Sequence, residues 1–232
     1  MKVKNLELST TEEFIILDLI GKNLIKNKKV KIGNSKIYSI ASIFIDLFLK
    51  EKISFDENQQ VIIKNSELTG VEYNDIILQT ITSKKTMSIK EWIEYFYSHY
   101  KLRDTIYNTI IQSIIKKDAL QVVNSPSLLN SSKKKYIDSK NIGDFLVQKI
   151  RAELLEDGNI DDNTLCLIIL LDENKMLMSY FSEYEYKDIK DKIEKIYERK
   201  STDKFKIIKK AITNVETFSA LTLITDIIAG LL

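Results

Sequence analysis

Six glycines and one proline in 232 residues leave this chain little material for tight turns or extended linkers. All-β folds need turn formers at short, regular intervals, so this scarcity favours helices joined by brief polar connections. The length suits one large domain, because single cores extend to roughly 250 residues before they split. A hydrophobic fraction of 44% is enough for a sizeable core.

Helix and strand signals follow one another along the chain. Thr10 with Glu13 has the form of a capping box ahead of Phe14-Ile15-Ile16-Leu17, and Gly21 is expected to end that helix. Residues 22–36 then hold six lysines and no acid, the most positive local segment. Over 38–50, Ile40, Ile43, Phe44, Leu47 and Phe48 recur at helical spacing. Ile53-Ser54-Phe55 and Val61-Ile62-Ile63 flank polar Asp56-Glu57-Asn58, the pattern of a short hairpin. Helices are expected over 72–82, from a Ser88 cap with Glu91 at its third position, and over 102–117. Leu120-Gln121-Val122-Val123 and Lys133-Lys134-Lys135-Tyr136-Ile137 read as a second hairpin with a long tip around Pro126. The remainder reads as helices over 142–155, 164–171, 184–199 and 203–228. The expected fold is mainly α: a single compact multi-helix domain over residues 1–232, with two small β-hairpins.

Basic and acidic residues nearly cancel at a net charge of +2, which argues against a dedicated nucleic-acid binder. Almost all the basic residues are lysine, the exceptions being Arg103, Arg151 and Arg199. Cys166, the sole cysteine, has only apolar neighbours in Leu165, Leu167 and Ile168 and reads as a small core hydrophobe of a reducing compartment. The apolar run 14–20 contains Asp18 and lacks a small-residue cleavage site; the run 218–232 is too short for a bilayer and contains Asp226. Any membrane contact is therefore expected from the surface of a cytoplasmic protein.

Catalytic and cofactor chemistry finds no carrier. His99 is the only histidine and has no cysteine nucleophile nearby, and one His with one Cys cannot build the usual structural zinc site. Asp157-Gly158-Asn159-Ile160-Asp161 opens like a calcium loop, but Asp162 and Ile168 stand where that loop requires glycine and glutamate. Gly21-Lys22 lacks the spacing of a phosphate-cradling loop. The expectation is no enzyme, no metal and no cofactor. A second reading stays open, a winged-helix-like nucleic-acid module built from the 102–117 helix and the hairpin after it. A third is an interaction protein that forms homo-oligomers through an exposed apolar face.

Several blocks, in order, resemble the Golgi phosphoprotein 3 family, in its bacterial-type form. They are Leu8-Ser9-Thr10-Thr11-Glu12-Glu13-Phe14, then Ala41-Ser42-Ile43-Phe44 running to Glu51-Lys52-Ile53, then Leu68-Thr69-Gly70-Val71. Ser88-Ile89-Lys90-Glu91-Trp92-Ile93, Leu102-Arg103-Asp104 and Asp161-Asp162-Asn163-Thr164-Leu165 follow. Glu51 stands where the family has a glycine, and Lys116-Lys117-Asp118-Ala119 covers a further glycine turn of the relatives. The resemblance implies a mostly helical, cytosolic, peripheral membrane protein. Eukaryotic relatives bind phosphatidylinositol 4-phosphate and carry the cytosolic tails of Golgi glycosyltransferases.

Carried over residue by residue, Arg103 occupies the first of two headgroup-arginine positions one turn apart, and Ile106 the second. A third arginine position falls near Ile40, and no tryptophan occurs between Val30 and Tyr38. Trp92 belongs to a different block and reads as core. Lys31, Lys36 and Lys101 are therefore expected to supply substitute charge beside Arg103 at a lipid headgroup. In the second hairpin, Leu128 and Leu129 beside Lys133, Lys134 and Lys135 suit a membrane-inserting tip. The expected partners are an anionic phospholipid surface and the tails of membrane proteins, with no nucleic acid.

Overall fold

The computed structural model describes residues 6–24, 34–125, 133–155 and 160–199. Within them the architecture is mainly α. Its elements run α1 (Thr10–Leu24), α2 (Ser35–Leu49), β1 (Ile53–Phe55), β2 (Val61–Ile63), α3 (Glu72–Thr82), α4 (Ile89–Ser98) and α5 (Tyr100–Lys116). They continue with β3 (Gln121–Ser125), β4 (Lys133–Ile137), α6 (Ile142–Leu155), α7 (Asp162–Glu173), α8 (Leu177–Tyr180) and α9 (Glu183–Arg199). The expected helix at 203–228 lies outside the described residues.

Three helices form the centre. In α2 nearly every residue from Ser35 to Leu47 is buried, as expected of a helix that is apolar all round. It packs on α1, α3, α4, α5 and α7. In α7 the run from Thr164 to Leu171 is buried, Cys166 within it. Phe14 to Leu17 of α1 fill the space between these two, and the Tyr38 hydroxyl donates to the Glu173 carbonyl at 2.8 Å. Trp92 of α4 is buried against Phe96, ring centroids 5.9 Å apart, and is a core residue.

Both hairpins form where the alternation predicts. β1 and β2 pair antiparallel with Ser54 opposite Ile62. The turn is stitched by the Asp56 carboxylate, which accepts from the Asn58 and Gln60 amides. β3 and β4 pair with Val122 opposite Tyr136 and Val123 opposite Lys135. The Val122–Tyr136 face is half-buried, whereas Gln121, Val123, Lys135 and Ile137 face solvent.

Two turns bear on the family resemblance. Glu51 and Asp118 both adopt left-handed backbone, φ 55 each. Glycine takes that conformation without steric cost, which fits the glycine turns that the resemblance implies here.

The start and end of α1 differ from expectation. The capping box is Ser9 with Glu12, one residue earlier than Thr10 with Glu13: the Ser9 amide donates to Glu12 Oε2 at 2.9 Å, and the Glu12 amide to Ser9 Oγ at 3.2 Å. Glu12 is fully buried and also accepts from Ser113 and Lys117, which ties α1 to α5. Gly21 does not end the helix, which continues to Leu24. A Cβ at Gly21 would lie 2.2 Å from Met176 Cε and 2.8 Å from the Tyr180 hydroxyl, so the glycine is a contact point for α8. α8 itself went unforeseen, being only four residues long.

The shifted cap leaves Glu13 facing the interior, where Lys149 of α6 lies 3.4 Å away. No described residue bonds its Oε2. Burial raises its carboxyl to about 7; Lys149 opposes this rise, and Asp46 of α2 and Asp161 at the start of α7 add to it. The Asp46 carboxyl is raised by burial as well. A carboxyl raised in the folded state stabilises the fold below its unfolded value of 4.5, and that stability is lost as pH rises through about 7. Between about pH 5 and pH 8 the protein is therefore expected to lose on the order of 2 kcal/mol relative to Glu13→Gln. Urea midpoints of both proteins at the two pH values measure this. Parallel pH profiles would contradict it.

Candidate anion-binding site

The N-terminus of α2 opens into a pocket. Asn34 caps the helix in extended conformation, φ −76 and ψ 110, its side-chain oxygen accepting from the Lys36 amide at 3.0 Å. The Asn34 amide group in turn donates to the Tyr97 hydroxyl at 2.9 Å. The first turn of α2 carries no acidic residue, so the positive end of the helix dipole is left uncompensated by its own sequence. Ser35 and Lys36 from this turn line a pocket of about 440 Å³, with Lys22 from the last turn of α1 and Tyr97, Arg103 and Tyr107 from α4 and α5.

Three cations from three helices thus converge. Lys22 Nζ lies 2.9 Å from Asp18 Oδ2 and donates to Ser35 Oγ. The Asp18 side chain is fully buried and also accepts from Asn174 Nδ2 at 3.1 Å, so this ion pair is anchored in the core. Lys36 Nζ lies 2.7 Å from Asp104 Oδ1 and 5.9 Å from the Tyr107 ring centroid. The Arg103 guanidinium stacks 4.7 Å from the Tyr97 ring centroid, donates from Nη1 to the Tyr97 carbonyl at 3.1 Å, and meets Asp104 Oδ1 at 3.2 Å. These contacts pin a side chain that is only 19% exposed, which pre-organises its fork. The Asp104 carboxyl is held below the usual carboxylate range, chiefly by its bond from Lys36 and then by Arg103. Burial pushes the Tyr107 phenol up, so it remains a neutral hydroxyl.

Such an arrangement is chemically suited to an oxyanion: guanidinium, two ammonium groups, hydroxyls and a helix N-terminus all favour negative charge. His99 is exposed; its Nδ1 lies 2.7 Å from the Tyr95 carbonyl and 3.3 Å from Ser98 Oγ, and its ring packs on Tyr95. Among the described residues no cluster of His, Cys, Asp or Glu is suited to a metal ion, and no helix is long and apolar enough to cross a membrane.

Of the residues expected at a headgroup, Arg103 and Lys36 come together. Lys101 is exposed and does not line the pocket, and Lys31 lies outside the described residues. At and near the positions where the resemblance implies further arginines the chain is core: Ile106 and Ile40 are both fully buried. Tyr107 reaches the pocket in place of Ile106, and Lys22 supplies the third cation. Leu128 and Leu129 lie outside the described residues; Lys133 and Lys134 are in β4, and Lys135 faces solvent. Sequence reasoning missed Lys22, Asn34, Ser35, Tyr97 and Tyr107. Lys22 and Asn34 carried a usable signal, as the first lysine of the basic run and as a cap-type residue before the apolar periodicity.

No curated protein matches the chain. The family described as Golgi phosphoprotein 3 (GPP34) matches residues 39–215, about three-quarters of the sequence, a span that includes Arg103 and begins just after Lys36. With that match over a mainly α fold carrying two small hairpins, the chain belongs to the Golgi phosphoprotein 3 family.

Proposed function

We propose that this protein binds membranes peripherally from the cytoplasmic side, holding an anionic phospholipid headgroup of the phosphatidylinositol 4-phosphate type in the Lys22–Lys36–Arg103 pocket. The single observation that carries the reading is the convergence of those three cations at the N-terminus of α2, whose first turn carries no acid. A phosphomonoester brings close to two negative charges and three acceptor oxygens, and this donor set answers both. The protein acts by binding rather than by catalysis, and its docked surface leaves other faces free to hold the tails of membrane proteins.

The rim supports the same orientation. Tyr100, 60% exposed, lies one turn before Arg103 on α5, with exposed Lys101 beside it. An amphipathic aromatic next to a lysine suits the headgroup zone of a bilayer. Leu128 and Leu129, which lie between β3 and β4 in the sequence, are with Lys133, Lys134 and Lys135 the apolar and basic residues that a shallow interfacial wedge would use. The outward side of α5, by contrast, presents Asn108 and Gln112 between Lys101 and Lys116, two cations, which is little charge for a nucleic-acid backbone.

Co-sedimentation tests the proposal. Vesicles of neutral phosphatidylcholine containing phosphatidylinositol 4-phosphate are expected to pellet the protein at low salt and release much of it at high salt. Pure phosphatidylcholine vesicles are expected to leave it in solution. Equal pelleting with neutral and anionic vesicles, or none with either, would remove the reading.

A further inference from the structure

Lys36 and Arg103 both donate to a single atom, Oδ1 of Asp104, at 2.7 and 3.2 Å. That oxygen marks the point where the donor directions of two pocket cations cross, which is the position an oxygen of a bound phosphate needs. The other carboxylate paired with a pocket cation is placed differently. Asp18 is fully buried and holds both Lys22 and the buried Asn174, so it has no path to solvent and displacing it would strand Asn174. Asp104 has 43% of its side chain exposed and can swing into water by rotating χ1. Ion pairs this exposed are weakly held.

We propose that Asp104 is an internal competitor, a carboxylate seated where a headgroup oxygen binds, which an incoming phosphate must displace and which thereby sets the affinity threshold of the pocket. The proposal rests on the membrane reading above. A monoanionic phosphodiester exchanges one negative charge for another at Lys36 and Arg103 and gains little. A phosphomonoester brings nearly twice the charge and gains enough to displace the carboxylate. Ordinary anionic phospholipid is thus held weakly, although the pocket carries three cations. Because Lys36 and Arg103 keep its carboxyl ionised well below neutrality, the competitor is present throughout the physiological range.

The test compares wild type, Asp104→Asn, Asp104→Glu and the double variant Asp104→Asn/Arg103→Gln. Each is sedimented with phosphatidylcholine vesicles containing either phosphatidylserine or phosphatidylinositol 4-phosphate. Asp104→Asn is expected to bind both anionic vesicles about two- to fivefold more tightly, the scale of an exposed ion pair. Asp104→Glu retains wild-type affinity, and the gain disappears once Arg103 is also neutralised, the coupling expected of a shared contact. A gain of affinity is an outcome that loss of folding cannot produce, and matching melting temperatures confirm an intact fold. Equal or weaker binding by Asp104→Asn, while wild type still sediments with anionic vesicles, overturns the competitor and leaves the membrane reading standing. A gain that persists without Arg103 assigns the effect to net charge and overturns it too. Wild type that sediments with no anionic vesicle removes the membrane reading and this proposal together.

Discussion

Lys36→Glu combined with Arg103→Glu is expected to abolish sedimentation with anionic vesicles, lowering affinity by roughly three orders of magnitude. Each basic residue near an anionic bilayer is worth about 1 kcal/mol. Two reversals change four charges, or about 4 kcal/mol, and each 1.4 kcal/mol is about tenfold. The exposed Lys36–Asp104 pair contributes about 1 kcal/mol at most, and Arg103→Glu gives up in addition its stacking on Tyr97 and its bond to the Tyr97 carbonyl, so the helical fold is checked alongside binding. Sedimentation against lipid concentration, with circular dichroism to verify the helices, measures the effect. Undiminished binding would place the membrane-contacting face elsewhere on the molecule.

Trp92→Ala is expected to cost about 3–5 kcal/mol of stability, a large share of the roughly 5–15 kcal/mol typical of a domain. The indole is 1% exposed, and its ring lies 5.9 Å from Phe96 and 5.7 Å from Tyr95. Removing it leaves a cavity at the junction of α4 with α2, where Phe96 meets Phe44 at 6.2 Å. Trp92→Phe refills most of that space and is expected to keep vesicle binding intact. This separates a core tryptophan from one that contacts a headgroup. Urea unfolding followed by circular dichroism gives the loss, and an unchanged midpoint for Trp92→Ala would refute the core assignment.

Much of the fold was legible because it rests on local periodicity. Ser88 and Glu91 form the expected box on α4, and both hairpins pair where the alternation placed them. α1 was misread at both ends for tertiary reasons. Ser9 and Thr10 are equivalent as caps on local criteria, and the choice falls to Ser9 because Glu12 is the residue that meets Lys117 and Ser113. Gly21 looks like a stop signal, yet α8, distant in sequence, fills the space above it.

The pocket was half legible for the same reason. Arg103 was found through the family pattern and Lys36 through the basic run. That pattern could not reveal that Ile40 and Ile106 sink into the core while Lys22 comes in from α1. Three helices far apart in sequence decide which lysine reaches the cavity, and periodicity along one helix carries no such information. Tyr97 and Tyr107 were unreadable likewise, since an aromatic on an amphipathic helix looks the same whether it lines a pocket or packs at the core edge.

The most direct measurement is a backbone NMR titration of the wild-type protein with short-chain, water-soluble phosphatidylinositol 4-phosphate. Saturable shifts concentrated at Lys22, Ser35, Lys36, Tyr97 and Arg103 are the result expected if cations from α1, α2 and α5 form one seat for a phosphate. Shifts confined to a different face, or none at all as the headgroup is raised, would contradict it.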